Sequence, residues 1–400
     1  MSKAVLFITI AIAFAATVVK LPPPYATPSV DNRPVVVKQP PGATLHVPGG
    51  FQVNVWAEGF EKPRFLLQGK GGEILLADSG TEALSAAVGS KSEGARDGVV
   101  YVFPGGDPGK RKQLITGLNR PYGMQLWQDY LYVAEADSVK RYRYNPSQMT
   151  AAKGEEVISL KGFNNGHWTR SLLFDRGGKK LYVGVGSEGN VDTGEDPRRA
   201  AINRYNADGS GHEIFASGTR NPIGLQWYPG TDTLWAAVQE RDRLGDDLVP
   251  DYFTHIEQGG FYGWPYAYFG PHPDPRITPQ RPDLVSKTIT PDISLGAHVA
   301  VLDFTFYTGD QFPTEYRGGA FLAFHGSWNR SKRVGYSVAF VPFQNQKPSG
   351  DPKDFLTGWM ESPTDKRVWG RPVAAFQMTD GSLLVTDDGG NKIWRVSYRK

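Results

Sequence analysis

Residues 164–190 read Asn-Asn-Gly-His-Trp-Thr-Arg-Ser-Leu-Leu-Phe-Asp, then Arg-Gly-Gly-Lys, then Lys-Leu-Tyr-Val-Gly-Val-Gly-Ser-Glu-Gly-Asn. A loop holding His167 enters a strand that carries Arg170, and Gly177 and Gly178 supply a turn. A second strand, Leu181 to Val185, ends at Ser187, Glu188 and Asn190. A glycine-flanked hairpin returns the chain to the edge where it began. His167 and the Ser187–Glu188 pair are therefore expected at one end of one sheet. An imidazole oriented by a carboxylate or hydroxyl is the minimal equipment of a general base.

The same unit recurs outward from this stretch. Pro63-Arg64-Phe65-Leu66-Leu67 leads to Ile74-Leu75-Leu76-Ala77-Asp78, and Arg120-Pro121-Tyr122 leads to Leu131-Tyr132-Val133-Ala134-Glu135. Arg220-Asn221-Pro222-Ile223 leads to Leu234-Trp235-Ala236 and Gln239-Glu240. His298-Val299-Ala300-Val301 leads to Phe321-Leu322-Ala323-Phe324-His325, and Arg371-Pro372-Val373 to Leu383-Leu384-Val385-Thr386-Asp387. With the opening hairpin this makes six copies, spaced by roughly 50 to 75 residues, the range of propeller blades with inserted loops. Ile223, Leu225 and Trp227 alternate as a strand requires, and no amphipathic helix competes. Repeats that bury one another's faces around an axis give an all-β, six-bladed β-propeller.

Forty-seven glycines, 30 prolines and 12% aromatic residues suit many short strands and tight turns. A net charge of +3 gives no field for a nucleic acid. The absence of cysteine excludes disulfides, zinc–thiolate sites, iron–sulfur clusters and thiol catalysis. Met1-Ser2-Lys3 followed by an apolar run to Val19, with Ala13-Phe14-Ala15 inside it, reads as an export signal or an N-terminal anchor over residues 1–20. The product is expected to be periplasmic or secreted, touching a membrane only through an uncleaved anchor. Residues 21–48, with Pro22-Pro23-Pro24 and Pro40-Pro41, read as a proline-rich tether with little core of its own, and residues 49–400 as the propeller.

If every copy begins and ends alike, its polar strand ends meet at one mouth of the central channel. Arg64, Arg120, His167, Arg170, Arg220, Glu240, His325 and Arg371 collect there. Arginines around one mouth attract an anionic ligand; equally, each could pair with an acid of a neighbouring blade.

At these residues the chain resembles the soluble pyrroloquinoline-quinone (PQQ) sugar dehydrogenases of the glucose/sorbosone type, over roughly Gly49 to Tyr398. The resemblance is strongest at His167-Trp168-Thr169-Arg170, Leu181 to Ser187, Ala216 to Pro222, Gly259 to Pro265 and His325 to Arg330. It implies a six-bladed propeller with PQQ over the channel mouth and Ca2+ beneath it. His167 then matches the catalytic base, Arg220 the arginine beside the reactive quinone carbonyl, and Asn221 the adjacent cofactor-binding asparagine. Arg241 falls where the family has a polar side chain on PQQ, and Arg371 belongs to the cofactor-binding set. The Asp246-Asp247 pair aligns the calcium loop, whose backbone carbonyls would come from Asp242 and Arg243. Glucose-specific members carry Gly-Pro where this chain has Asp242-Arg243, and their acidic partner of the histidine falls at Ser187. Both departures point to the sorbosone-type branch.

The chemistry follows. A neutral histidine can take a hydroxyl proton, but no side chain accepts a hydride, so a cofactor is required. No Rossmann fingerprint follows any strand. The expected substrate is an aldose or related polyol or aldehyde, with electrons passed to a separate acceptor. A metal-dependent sugar lactonase and a non-catalytic glycan- or protein-binding propeller are the alternatives.

Overall fold

In the computed structural model, which describes residues 19–81 and 96–399, the hairpin forms as the sequence implies. Strand Arg170–Phe174 pairs antiparallel with Lys180–Val185, Arg170 opposite Val185. The Asp175 side chain closes the turn by accepting from the Lys179 N–H at 2.7 Å. Six four-stranded antiparallel units follow one another, the second with an added two-residue strand. Each innermost strand touches the next, and the last touches the first. The all-β, six-bladed propeller is thus borne out. Apart from single 3₁₀ turns, the described residues hold one short helix, Pro282–Val285.

The innermost strands start at Pro63, Met124, Arg170, Asn221, Val301 and Pro372. An apolar cluster fills the axis with Tyr122, Trp168, Ile223, Leu302 and Val373, and Phe65 packs against it. Every blade contributes, the second with both Tyr122 and Ala136, so the channel is plugged as a core rather than left open as a pore. The second strands Ile74–Asp78, Ala320–Phe324 and Leu383–Asp387 are buried along their whole length. Sheets packed on both sides explain why these segments read as continuous apolar runs instead of alternating ones.

The acid that ends several second strands has a structural task. Asp78 accepts from the backbone N–H groups of Glu61 and Lys62, Glu135 from that of Asn119, and Asp387 from that of Arg371. Each carboxylate thereby fixes the segment that enters the first strand of its own blade. Such charge-assisted bonds are among the stronger ones available to a backbone donor.

Ring closure comes from the other end of the chain. Strand Phe51–Glu58 is the outer strand of the last blade, pairing with Lys392–Tyr398. Phe51 meets Phe312, Tyr316, Phe355 and Tyr398, with ring centroids 4.8 to 5.3 Å apart. The stretch read as a tether is extended, but it lies against the propeller. Val35 and Val36 pair with Arg367 and Val368, and Leu45 is buried in the core of the last blades. The export or anchor segment, residues 1–20, falls almost wholly outside the described residues. Among those described, no helix is long and apolar enough to cross a membrane.

Phe51→Ala should lower stability by about 3–5 kcal/mol, the usual cost of emptying a buried aromatic site. Equilibrium unfolding in urea measures this. A loss below about 1 kcal/mol, typical of surface changes, would show that closure does not depend on this contact.

Candidate functional site

A cavity of about 160 Å³ opens at one mouth of the axis, lined by His167, Arg220, Gln239, Glu240, Asp242, Asp251, His298, Ala300 and Trp328. Of the residues expected from the sequence, the structure brings His167, Arg220, Glu240 and Asp242 together here.

His167 comes from the loop before Arg170–Phe174. Arg170, wholly buried, holds that loop by donating to the carbonyls of Phe163 (2.7 Å), His167 (2.7 Å) and Thr169 (2.8 Å). It braces the site instead of facing a ligand. His167 Nδ1 lies 2.8 Å from the Ser187 carbonyl and 3.1 Å from the Ser187 hydroxyl, which itself donates to the Gly189 carbonyl at 2.7 Å. A carbonyl can only accept, so Nδ1 carries the proton and Nε2 is left as the basic atom. Gly186 permits the approach, because a Cβ there would collide with Asn221 and with His167. Burial first, then the Arg220 charge, lowers the His167 pKa to about 3.

Glu188, expected beside His167, is half exposed and turns away, with Asn165 at 3.4 Å and Arg199 at 3.9 Å. The orienting group is therefore the Ser187 backbone.

Arg220 is 2% exposed. It donates to the Glu240 carbonyl at 2.6 Å and to Asn190 Oδ1 at 3.0 Å, and its Nη2 lies 3.3 Å from the Asp242 carboxylate. Asn190 is the knot of the site. Its side chain accepts from the Asp242 N–H at 2.9 Å and donates to the Asp242 carbonyl at 3.0 Å, while its own carbonyl accepts from Trp264 at 2.9 Å. Sequence reading quoted Asn190 as the end of the hairpin but gave it no role.

His298, which opens the fifth copy of the repeat, lies in the cavity wall. Its Nε2 is 2.9 Å from the Gly245 carbonyl and its Nδ1 is 3.5 Å from Asp242. Burial works against its charge, yet the Asp242 carboxylate and the Gly245 carbonyl outweigh burial and raise its pKa. Two imidazoles in one cavity are thus pushed in opposite directions.

The other expected residues stand elsewhere. Asn221 donates to Gln239 at 3.0 Å, and its Oδ1 is buried without a partner. Arg241 is fully buried and does not line the cavity; it is held by Glu240 (2.9 Å), Asp274 (3.2 Å) and the carbonyls of Pro265 and Ala267. Arg371 donates to the carbonyls of His325 (3.1 Å) and Gly326 (3.3 Å). Arg64 pairs with Asp388 at 2.9 Å. Most of the arginines expected around the mouth are thus engaged inside the protein. Arg243 is exposed at the rim, its guanidinium 5.9 Å from the centre of the Trp328 ring. The Asp242 carbonyl expected to hold calcium accepts from Asn190 and, at 2.7 Å, from Arg276.

The axial mouth of a closed propeller thus holds an imidazole with a free Nε2 in the same wall as a buried guanidinium. The chain belongs to the TrAA12-like family, matching it over residues 45–251 and 282–399. An uncharacterised protein of Borreliella burgdorferi is 31% identical over 90% of this chain and 92% of its own length. The PQQ-dependent pyranose dehydrogenase of Coprinopsis cinerea is 22% identical over 89% of this chain, which spans 55% of that enzyme. The aldose sugar dehydrogenase of Escherichia coli is 31% identical over 40% of this chain and 39% of its own length. A Trichoderma reesei enzyme of carbohydrate-active family AA12 superposes with a TM-score of 0.72 at 20% identity, covering 92% of this chain and all of that one. The resemblance to PQQ sugar dehydrogenases is borne out, since the Coprinopsis relative is a PQQ-dependent pyranose dehydrogenase and the Escherichia coli one an aldose sugar dehydrogenase.

His167 should stay neutral from pH 8 to pH 5, when followed by NMR. In the unfolded chain it protonates near its ordinary value of about 6.5. The unfolded state therefore binds the extra proton between that pH and about 3, and native stability should fall as pH drops through this window. Denaturant midpoints should decline less steeply between pH 7 and pH 4 in His167→Gln. Equal slopes would contradict the depressed value.

Proposed function

We propose that this protein is a PQQ-dependent dehydrogenase of an aldose or related polyol or aldehyde, nearer the sorbosone than the glucose type, delivering electrons to a separate acceptor. The observation that carries the reading is the His167 tautomer: Nδ1 held by the Ser187 carbonyl, Nε2 basic, in the same cavity wall as Arg220. Export to the periplasm or exterior belongs to the proposal and rests on Met1 to Val19.

The wall suits PQQ. It presents the buried Arg220 cation and the flat Trp328 ring, with the Arg243 guanidinium beside that ring, to a planar tricarboxylate, while Glu240, Asp242 and Asp251 in the same wall oppose its charge. Asn221 Oδ1 and Glu240 Oε1 remain as buried acceptors without partners. When bound, PQQ supplies the electrophilic carbon that accepts hydride, which no side chain can do. His167 Nε2 takes the substrate hydroxyl proton. The Ser187 carbonyl keeps the ring in the required tautomer as the proton arrives. Arg220 stabilises negative charge developing on oxygen beside it. Asn190 holds Arg220 and the Asp242 backbone in register, so the cation does not reorganise during the reaction.

The donor set suits calcium less well. Both lone pairs of the Asp242 carbonyl are taken by N–H groups, and the Arg276 guanidinium adds a positive charge beside it. Calcium at this carbonyl would have to displace Arg276. Arg276→Ala should then tighten calcium binding by about tenfold, about 1.4 kcal/mol, in calorimetry of the apo protein. An unchanged affinity would place any calcium at other ligands.

The decisive assay is dye-linked sugar oxidation with and without added PQQ. His167→Gln should retain PQQ binding and lose ~10²–10⁴-fold in kcat, the contribution of a positioned base. Arg220→Lys should be impaired too, because an ammonium cannot reproduce the guanidinium fork. Full turnover of His167→Gln, or lactone hydrolysis without PQQ, would sink the reading.

A further inference from the structure

Residues 25–33 lie outside the matched family region, which begins at residue 45, yet they are built into the mouth. The Tyr25 N–H donates to the Leu244 carbonyl at 2.8 Å. The Thr27 hydroxyl accepts from the Asp246 N–H at 2.7 Å, and the Ser29 hydroxyl from the Gly245 N–H at 3.1 Å. Gly245 allows this approach, because a Cβ there would stand 2.9 Å from the Thr27 carbonyl. Asn32 meets a second loop: its N–H donates to the Trp328 carbonyl at 2.8 Å and its side chain to the Arg330 carbonyl at 3.0 Å. The buried Arg333 grips the Asn32 carbonyl at 2.6 Å and its side-chain oxygen at 2.8 Å. Arg33 lies over Trp328, 5.1 Å from the ring centre.

The two loops that this segment holds are those that supply Asp242, the His298 contact and Trp328 to the cavity. They also hold each other, since Asn329 accepts from the Arg243 N–H at 2.7 Å while donating to the Val30 carbonyl at 2.6 Å. A spacer would need none of these side-chain bonds. We propose that residues 25–33 are positioning residues of the cavity, setting the Asp242–Asp247 loop and Trp328, so that docking of this segment and binding of PQQ favour one another. The proposal deepens the functional reading and rests on it only for the ligand. Linkage makes the coupling reciprocal: whatever the segment adds to PQQ affinity, PQQ adds to the docking of the segment.

The test compares wild type, the Thr27→Val/Ser29→Ala double variant, Asn32→Ala and the conservative Thr27→Ser/Ser29→Thr. PQQ is titrated into each apo protein by tryptophan fluorescence, thermal unfolding is recorded, and amide exchange is read at Asp242 and Arg243. These amides bond to Asn190 and Asn329, not to the altered side chains. In the double variant and in Asn32→Ala, the PQQ dissociation constant should rise about tenfold, within the usual span of coupled sites. Asp242 and Arg243 should exchange faster, the unfolding midpoint should be unchanged, and the conservative variant should behave as wild type. Wild-type affinity in both disruptive variants, or unchanged exchange at Asp242 and Arg243, would overturn the proposal. A wild type that does not bind PQQ would instead overturn the cofactor reading, and the exchange measurement alone would then decide the positioning role.

Discussion

A ring of blades must close, and this one closes by hydrogen bonds between the two ends of its chain. Phe51–Glu58 joins Lys392–Tyr398 across almost the whole sequence, with no cysteine available to help. The axis depends on that closure. Tyr122, Trp168, Ile223, Leu302 and Val373 bury one another only when their strands stand in a circle. The cavity depends on it in turn, because its wall is drawn from several blades: His167 from the third, Arg220 and Asp242 from the fourth, His298 and Trp328 from the fifth.

The site arises where the repeat is broken. In the first, second and sixth blades, the acid closing the second strand binds the backbone that enters the first. In the third blade that place is held by Ser187, whose carbonyl receives His167 Nδ1. A carboxylate there would have favoured the imidazolium; a neutral dipole fixes the ring without charging it.

Much of this was legible in the sequence for definite reasons. The six strand pairs could be read because turn glycines and apolar runs carry local information. Which strand closes the last blade could not, since nothing near Phe51 names a partner more than three hundred residues away. His167 and Arg220 stood out as polar residues at equivalent places in the repeat. Arg241, beside them in sequence, points into the protein towards Asp274, in a connection outside the family match. The choice between a cation at the mouth and a cation inside a blade is made by such distant acids. Asn190 was invisible as a hub for a similar reason: its partners Arg220, Asp242 and Trp264 come from other segments. The proline-rich composition of residues 21–48 reads as an extended tether, but composition does not say whether such a chain is free or docked.

The balance of charge around His167 completes the argument. Arg220 lowers its basicity and Asp242 raises it, but Asp242 already faces the Arg220 guanidinium at 3.3 Å and the His298 imidazole at 3.5 Å. The protein's own groups thus tune the site towards a neutral, weakly basic imidazole. An anionic occupant opposes the field of Arg220 and raises the affinity of Nε2 for a proton, by the same Coulomb effect that now depresses it. Low local dielectric makes that change larger than it would be in water. In the proposed reaction an anionic cofactor beside Arg220 would make Nε2 the stronger base, tying proton abstraction to the presence of the hydride acceptor.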